Sequence, residues 1–516
     1  MTNKTTKKAI IDIGSNSIRL VVYSYNSEQG LVEHHNFKTV ARLSMYIQEN
    51  GNLSDDGTKV LVETLLKFKE ILADIHVEEV FAAATAAIRQ AKNQQDILEF
   101  VEKEVGFMLT VLTAEQEAYF GHLAVIHTTN IRTAVTIDMG GGSTEVTYFI
   151  EKNLIHSHSF PFGAVSLKGK FMKGLTMTDV EKAELVNYVQ GQFQTLDWLV
   201  NARVPIIAIG GSARNIAQVD QQRKNFPLNG THQYELNAED LHYISYHFAQ
   251  CSLDGLKKID GLSSDRADII VLALETFRTF MSVVQAPVFM YSKKGLREGI
   301  IISQIHDLFP NDFNKNEVTK KAIRHVLGKF NVSEDSTLHL YDIFTTIYTK
   351  FCEWGYMDVF ENEEFLKFSY QLFHIGRHID NDAVSQHTFY LLTNLTLDGV
   401  SNLERLKMAL LASYQNKDTF KRYVEPYQHV IGEKELKQLR DIGALLRFTH
   451  GVDVLGRSNI KNITVEKNAE SIMLTFFVEG NYLLEKYQAE KLKKHLGKIC
   501  SCEVIIQFEN VEETYI

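Results

Sequence analysis

The sequence predicts an α/β protein that has two duplicated lobes, then an all-helical domain, then a small α+β domain. Three observations lead to this prediction. Residues 10–22 and 136–146 carry matching motifs, with Asp, Gly and Ser at equivalent places. Strand-like and helix-like segments alternate up to Pro310, as expected of α/β lobes. Beyond Pro310, apolar residues recur at helical spacing.

The composition limits the classes of protein to be considered. A chain of 516 residues exceeds the size at which a single core stops growing, so several domains are expected. Its net charge of −10 argues against broad binding of nucleic acid or of anionic membranes, so neither is an expected partner. The start of the chain is polar and basic, and the short apolar run that follows contains Asp12, which predicts neither a signal peptide nor a membrane span.

The cysteines indicate a reducing compartment. The chain has four of them, none in a Cys-x-x-Cys pair: Cys251, Cys352, Cys500 and Cys502. So few thiols in so long a chain cannot form a disulfide scaffold. We therefore expect a cytoplasmic protein.

The first lobe is predicted to span residues 1–130. Its hairpin, residues 10–22, reads as strand, tight turn and strand. The residues Ser-Asp-Asp at 54–56 then cap a predicted helix at 57–75, which has apolar side chains at helical spacing. The next predicted elements are a strand at 79–85, a helix at 94–105, a strand at 108–112 and a capping box at 113–116.

The second lobe is predicted to span residues 131–310 and repeats the alternation of strands and helices. Its predicted elements after the hairpin are a helix at 178–199, a buried strand at 206–209, a Gly-Gly-Ser turn at 210–212 and a strand at 288–291. Pro310 and the Asn-rich residues after it mark the end of this lobe. We expect an all-helical domain at 311–457 and a small α+β domain at 458–516.

The two matching turns carry residue types that bind phosphate. A Gly/Ser turn after a buried strand leaves successive backbone N–H groups unpaired, which forms a nest for phosphate oxygens. The candidate phosphate-binding residues are Gly14, Ser15, Asn16 and Ser17 in the first turn, Gly140, Gly141, Gly142 and Ser143 in the second. Asp12 and Asp138, at the strand ends, are placed to bind Mg²⁺ or its waters. One such turn alone favours an ordinary tight turn, whereas the pair with matching aspartates favours a phosphate site.

Three further charged residues suit phosphoryl transfer, and each has a plainer explanation. Glu117, in the first turn of a predicted helix, can deprotonate an attacking water or simply complement the helix dipole. Glu145, on the outgoing strand, can be linked to the metal or face solvent. Arg89 can stabilise charge on the transferring phosphoryl group, although surface arginines are commoner.

The ordered set of motifs resembles the exopolyphosphatase/guanosine pentaphosphate phosphohydrolase family over about residues 9–305. The segments that carry the resemblance are 12–17, 85–89, 117–118, 138–145, 210–212 and 295–299. The resemblance implies the actin/Hsp70/sugar-kinase fold, with ribonuclease H-like lobes, and it implies a homodimer. One departure is Ala114-Glu115-Gln116-Glu117-Ala118, where the family often has Gly-x-Glu-Glu-Ala.

The resemblance also implies roles for individual residues. It makes Glu117 the catalytic base, assigns Mg²⁺ binding to Asp138 and Glu145, and places Arg89 on phosphate. It implies phosphate cradling by both turns and by Gly211 and Ser212. The family removes terminal phosphates one at a time, so the leading prediction is an exopolyphosphatase that hydrolyses inorganic polyphosphate with Mg²⁺.

The helical domain resembles the HD phosphohydrolases, but it lacks their His-Asp doublet. The matching place reads Leu-Phe-His-Ile-Gly at 372–376. The histidines of this region are therefore predicted to be structural or substrate-guiding and not metal ligands: His339, His374, His378 and His387.

Basic residues and the C-terminal domains bear on the substrate. Lys293, Lys294 and Arg297 adjoin a strand-end turn and are predicted to guide a polyphosphate chain. The main alternative substrate is guanosine pentaphosphate, and Arg19 and Arg266 are candidates for contacts with guanosine tetra- or pentaphosphate. The extra C-terminal surface favours the longer polymer. A kinase or ATPase of the same fold, and a sensor that binds without catalysis, stay as further alternatives.

Overall fold

The protein is described by a computed structural model over residues 5–453 and 456–511. It is a mixed α/β protein that divides into two compact units. Unit one runs through Phe226 and adds Thr231–Thr319 and Asp398–Val400, whereas unit two holds Pro227–Gly230, Lys320–Leu397 and the chain from Ser401 onward. Among the described residues, no helix is both long enough and apolar enough to span a bilayer.

Unit one contains two sheets and the helices that cover them. Its strands are β1 (Thr6–Ile13), β2 (Ile18–Asn26), β3 (Gly30–Thr39), β4 (Val80–Ala84), β5 (Leu109–Val111), β6 (Ala134–Met139), β7 (Thr144–Ile150), β8 (Asn153–Phe160), β9 (Ile206–Ile209), β10 (Tyr234–Leu236) and β11 (Phe289–Tyr291). Its helices are α1 (Asp55–Asp74), α2 (Ala86–Arg89), α3 (Gln94–Val105), α4 (Ala114–Thr128), α5 (Ala164–Phe171), α6 (Asp179–Phe193), α7 (Gly211–Arg223), α8 (Ala238–Ala249), α9 (Leu253–Leu256), α10 (Ile270–Val284) and α11 (Leu296–His306).

The two sheets have the same strand arrangement. The first has the order β3-β2-β1-β4-β5, and the second, counted from its other edge, has the order β8-β7-β6-β9-β11 with β10 added. In each, an antiparallel hairpin leads into strands that run parallel to its first strand. The duplication that the two sequence motifs predict is therefore present in the topology.

The register of the two hairpins places charged residues at equivalent positions. Asp12 on β1 pairs with Arg19 on β2, and Asp138 on β6 pairs with Glu145 on β7. Directly opposed residues of an antiparallel pair point to the same face of the sheet. Each lobe thus presents an aspartate and one further charged side chain together, beside the turn that joins its first two strands.

Buried aliphatic side chains hold each sheet against its helices. Ile11, Ile13 and Leu20 of the first sheet pack with Leu61 and Leu65 of α1 and have no exposed surface. The second lobe has a larger core, in which α6, α7 and α10 cover the other sheet. These cores fix the strand ends from which the polar turns project.

Helix α6 ends earlier than the sequence predicts. The predicted helix at 178–199 stops at Phe193, after a capping box between Thr178 and Glu181 at its start. The chain then continues in tight turns, in which the N–H of Leu196 donates to Phe193 and that of Leu199 donates to Leu196. Leu199 is still completely buried, so the apolar spacing continues after the helix has ended.

Unit two contains the helices α12 (Val318–Lys329, which begins at the end of unit one), α13 (Glu334–Glu353), α14 (Glu363–Gln371), α15 (Val384–Asn394), α16 (Asn402–Ala412), α17 (Lys417–Val424), α18 (Glu433–Val452) and α19 (Leu483–Cys500). Its sheet has the strand order β12 (Ile460–Lys467), β13 (Ser471–Val478), β14 (Glu503–Asn510). The helices and the small α+β segment lie in one compact unit. The three predicted domain boundaries, after residues 130, 310 and 457, stay predictions.

Candidate active site

The two matching turns of unit one are closed by the same backbone hydrogen bond. The N–H of Gly14 donates to the carbonyl of Ser17 at 3.1 Å, and the N–H of Gly140 donates to the carbonyl of Ser143 at 3.0 Å. A Cβ atom on Gly14 would lie only 3.2 Å from the Ser17 carbonyl oxygen. Glycine therefore gives each turn room to close tightly.

Carbonyl groups in both turns accept hydrogen bonds from a following segment. In the first turn, the carbonyls of Ser15 and Asn16 accept from the N–H groups of Ser44 and Arg42, at 3.1 and 2.9 Å. In the second turn, the first residues of α5 donate to the carbonyls at 140 and 141. Because these carbonyls point toward the following segment, the backbone N–H groups of the two turns point away from it and are available to another acceptor.

The two turns lie against each other. A Cβ atom on Gly141 would be 3.1 Å from the Cβ of Ser15, and one on Gly142 would be 3.2 Å from the Ser15 Oγ. Within the described residues, the N–H groups of Ser15, Asn16, Gly141 and Gly142 donate to no backbone carbonyl. The arrangement is a pair of opposed nests, and nests of this kind bind anions.

Four carboxylates lie beside the turns and perturb one another. Burial raises the pKa of Asp138 to about 7, with further contributions from Glu117 and Asp12. Burial likewise raises the pKa of Glu145 well above its usual range, and Glu117 adds to that rise. The pKa of Asp12 is raised by burial although Arg297 and Arg19 oppose the shift. Burial and mutual repulsion therefore favour the binding of a proton or a cation by this cluster of acids.

Arg89 holds Glu117 in place. Its Nη1 donates to Glu117 Oε2 at 2.8 Å and to the Leu112 carbonyl at 2.9 Å, and its Nη2 lies 4.0 Å from Glu145 Oε1. Burial raises the pKa of Glu117, whereas the hydrogen bond and charge of Arg89 lower it. The capping box between Thr113 and Gln116 fixes the helix turn that carries Glu117. The three predicted residues Arg89, Glu117 and Glu145 thus form one connected group.

Four arginines form a second cluster: Arg19, Arg214, Arg266 and Arg297. Burial, followed by the charges of Arg297 and Arg214, lowers the pKa of Arg19 to about 10. The Nη1 of Arg297 is 4.0 Å from Asp12 Oδ2. Four guanidinium groups that repel one another beside two aspartates give the site an affinity for polyanions.

Three buried donors at this site have no partner among the described residues. They are the Nδ2 of Asn16, the Nε of Arg214 and the Nε of Arg266. An unpaired buried donor costs about 1–3 kcal/mol. All three atoms are donors, so a ligand that satisfies them must supply acceptors, as phosphate oxygens do.

The Gly-Gly-Ser turn at 210–212 lies against both clusters. Gly210 has φ +93°, and a Cβ atom there would be 2.9 Å from Asp138 Oδ1. A Cβ atom on Gly211 would fall within 2.2 Å of Arg266 Nη2, so the guanidinium covers this glycine. Arg266 Nη1 also donates to Ser212 Oγ at 3.3 Å. Both Gly211 and Ser212 therefore adjoin the site and contact Arg266.

The three basic residues predicted to guide a polyphosphate chain, Lys293, Lys294 and Arg297, lie in different environments. Lys293 is exposed, and Arg297 faces Asp12. Burial would lower the pKa of Lys294, but the carboxylates of Asp398 and Glu298 raise it above its usual value. Lys294 therefore has two acidic neighbours of its own. The guiding role of all three residues stays a prediction.

A small cavity opens beside the first turn. It has a volume of about 280 Å³, and Asn16 and Val165 are among its lining residues. Two carboxylates in its wall are paired with lysines: Asp268 with Lys168 at 2.7 Å, and Asp265 with Lys38. The cavity thus combines apolar and charged surface next to the phosphate nests.

The carboxylates suit Mg²⁺ only with help from a ligand. Among the described residues, no three His, Cys, Asp or Glu side chains converge into a metal site. Mg²⁺ usually keeps several waters and takes only one or two carboxylates, with substrate phosphates completing its shell. Asp138 and Glu145, opposed on β6 and β7 with raised pKa values, match that requirement. Asp12, from the first lobe, faces the same cluster.

Sequence reasoning missed several residues of the site. Arg214 was not singled out, although it lies two residues after Ser212 in α7 and its position near a Gly-Gly-Ser turn is a usable signal. Glu298 accepts from Tyr23 at 2.9 Å and from the N–H of Gly295 at 2.9 Å. These contacts fix the start of α11, from which Arg297 projects.

Comparison with known proteins identifies the family. The model of the Ppx/GppA phosphatase family matches residues 21–308, and that of Ppx/GppA phosphatase domain III matches residues 318–493. A guanosine-5'-triphosphate,3'-diphosphate pyrophosphatase of Pseudoalteromonas atlantica is 25% identical over 408 residues, which cover 77% of this chain and 77% of that protein. The protein of the same name from Pseudoalteromonas translucida is 22% identical over 81% of this chain and 82% of its own length.

Solved structures agree with this result. The Ppx/GppA family member of Aquifex aeolicus has a TM-score of 0.53 and 26% identity, covering 59% of this chain and 99% of its own. An exopolyphosphatase from Cytophaga hutchinsonii has a TM-score of 0.53 and 21% identity over 58% of this chain and 98% of its own, a likeness of fold. The fold is the actin-like fold expected from the motifs. The chain belongs to the Ppx/GppA phosphatase family.

Proposed function

We propose that this phosphatase hydrolyses the terminal phosphoanhydride bond of a polyphosphate chain and releases orthophosphate. The observation that carries the proposal is the set of three buried donors without partners, on Asn16, Arg214 and Arg266. They lie with two opposed N–H nests and four arginines in a chain of net charge −10. This combination suits several consecutive phosphate groups better than any neutral ligand.

Glu117 is the proposed base. Its side chain is 14% exposed, so water reaches it, and Arg89 fixes its orientation through a 2.8 Å contact. Ionised Glu117 accepts a proton from water as the water oxygen forms a bond to the terminal phosphorus. The bridging P–O bond then breaks, and its electron pair stays on the shortened chain. The arginines hold the charge that spreads over the phosphoryl oxygens.

Mg²⁺ is the proposed cofactor, held by Asp138 and Glu145, with Asp12 facing it from the other hairpin. When bound, it neutralises phosphate charge and polarises the phosphoryl group. The protein residues supply the carboxylate oxygens, and Ser159 Oγ orients Glu145 by donating to its Oε1 at 2.9 Å. The raised pKa values of both acids are consistent with a site that needs a cation.

Inorganic polyphosphate is the proposed substrate, which makes the protein an exopolyphosphatase. Removal of one terminal phosphate does not require four clustered arginines. In a long polyanion, the further phosphate groups can bind the arginines that the terminal phosphate does not contact. Guanosine pentaphosphate is the second candidate. It is favoured by the pyrophosphatase activity for which the two Pseudoalteromonas relatives are named and by the partly apolar cavity beside Asn16, which has room for part of a nucleoside.

The choice is tested by measuring orthophosphate release from long-chain polyphosphate and from guanosine pentaphosphate, with Mg²⁺ and with EDTA. A higher kcat/KM on polyphosphate, lost with EDTA and restored by Mg²⁺, is the expected result. A preference for the nucleotide would replace polyphosphate by the second candidate. Binding of either compound without release of phosphate would contradict the proposal of hydrolysis.

Three further expectations stay predictions. The homodimer is tested by sedimentation velocity, and the cytoplasmic location by fractionation of cells that express the protein. The likeness of the helical region to HD phosphohydrolases, with histidines that bind no metal, is tested by metal analysis of the purified protein. A stoichiometric transition metal bound through His374 or His378 would contradict the last of these.

A further inference from the structure

Unit two contains a cavity of about 610 Å³ that the proposed hydrolysis does not use. All of its lining residues belong to this unit. They come from α13, α18 and α19, from the turn after α12, from the segment after α14 and, with Asp453 and Gly456, from beyond the end of α18. Cavities of a few hundred to a thousand Å³ are the usual size for binding a small molecule.

One wall of this cavity belongs to a stack of aromatic rings. The ring of Phe373 lies between His374, at 3.9 Å and 22°, and His450, at 4.5 Å and 16°. His450 stacks in turn on Tyr370 at 4.1 Å and 24°. Phe373, His374 and His450 line the cavity, and Phe330 lines it from another segment. The rings of Phe373 and His450 are covered on both faces within this stack, so the wall offers a planar aromatic ligand the edges of the rings.

The charged side chains of the cavity are mostly cationic. Arg377, Arg447 and Lys491 line it, and among the described residues none of them forms an ion pair or a side-chain hydrogen bond. The one carboxylate in the wall, on Asp453, already accepts from two backbone N–H groups, at 3.0 and 2.8 Å. Three cations without carboxylate partners, in a chain that is acidic overall, favour an anionic ligand.

His374 contributes a buried acceptor. The ring hydrogen-bonds to the backbone carbonyl of Tyr414, and burial lowers its pKa to about 3, so the imidazole is neutral. Its Nε2 is buried and has no partner among the described residues, which leaves Nδ1 as the atom that donates to Tyr414. In this tautomer Nε2 carries a free lone pair. A ligand satisfies it by supplying an N–H or O–H donor.

We propose that this cavity binds a purine nucleotide. The base packs against the edges of Phe373 and His374 and donates an amino or ring N–H to His374 Nε2 in the plane of the imidazole, and the phosphate meets Arg377, Arg447 and Lys491. The ligand class follows from three separate features of one cavity: flat rings, unpaired cations and one buried acceptor. The site is independent of the phosphate nests, because no residue of the nests lines it.

The proposal is tested by isothermal titration of the full chain with AMP and GMP, and with adenosine and inorganic phosphate as partial ligands. At least one nucleotide is expected to bind, at least tenfold more tightly than either partial ligand. Arg447→Gln removes a cation, and His374→Phe keeps a flat ring but removes the acceptor. Each substitution is expected to weaken binding about tenfold or more. Lys437→Gln, an exposed change on the same helix as Arg447, is the matched control.

Nucleotide could also enter the phosphate site of unit one, and Arg297→Gln distinguishes the two places. Nucleotide binding that survives Arg297→Gln and is weakened by Arg447→Gln supports the proposal. Binding that is lost with Arg297→Gln and unchanged by both cavity variants would overturn it. So would equal affinity for inorganic phosphate and nucleotide, or no detectable binding of AMP and GMP. Arg377→Gln, on an exposed residue, serves as a further cation variant if His374→Phe does not fold.

Discussion

Replacement of Arg89 by Gln is predicted to move the acidic limb of the pH profile upward. The guanidinium donates to Glu117 at 2.8 Å, and the two side chains are only 19% and 14% exposed. Its charge stabilises the ionised form of Glu117, which is the form that accepts a proton from water. Without Arg89, Glu117 keeps the neighbouring carboxylates of Asp12 and Asp138, which oppose its ionisation.

The size of the shift follows from the contact that is lost. A hydrogen bond to a charged group contributes about 1.5–3 kcal/mol. One pKa unit corresponds to about 1.4 kcal/mol. The pKa of Glu117 should therefore rise by about one to two units, and the rate below the new pKa should fall about tenfold for each pH unit.

The assay is orthophosphate release at saturating Mg²⁺ between about pH 5 and pH 9, with kcat/KM plotted against pH. Arg89→Lys should restore part of the shift. Arg132→Gln, which breaks an exposed pair with Glu151, should leave the profile unchanged. An equal loss of rate at all pH values in Arg89→Gln would contradict this role, because Arg89 would then act on the substrate alone.

Three other perturbations have expected outcomes. Gly211→Ala places a Cβ within 2.2 Å of Arg266 Nη2 and should therefore reduce kcat/KM at least tenfold in the phosphate-release assay. Gly191→Ala is the control, because Gly191 has open space around it, and its kcat/KM should match that of wild type. Arg297→Gln should raise KM several-fold more than it lowers kcat. Burial lowers the pKa of His450 to about 3, so the folded protein resists protonation of this side chain. As the pH falls from about 6.5 to about 5, the free energy of unfolding should therefore decrease by about 1–2 kcal/mol. In urea titrations, the His450→Gln variant should show a smaller decrease over the same pH range.

Local patterns were sufficient to predict the repeated hairpins and their turns. Asp12 and Asp138 each precede a Gly/Ser turn, with the next charged partner seven residues on, at Arg19 and Glu145. These residues are opposed across each hairpin, and a one-residue slip would turn the charges to the other face. The opposed nests followed from the same repeat.

Contacts between distant segments could not be predicted in this way. Tyr23 and Glu298 are 275 positions apart, and their hydrogen bond forms only because α11 packs beside the first sheet. Asp398 belongs to the short segment Asp398–Val400 of unit one, and its charge acts on Lys294, which is 104 positions away in the sequence. Pairings of this kind depend on tertiary packing, which no local spacing encodes.

The central claim is that Glu117 activates water at a site formed by the two nests. The most direct test is a single-turnover measurement of orthophosphate release by Glu117→Gln, which keeps the size of the side chain and its acceptor oxygen for Arg89. Polyphosphate binding should stay within a few-fold of wild type, while the rate of the chemical step should fall about 10²–10⁴-fold. An unchanged single-turnover rate would contradict the account.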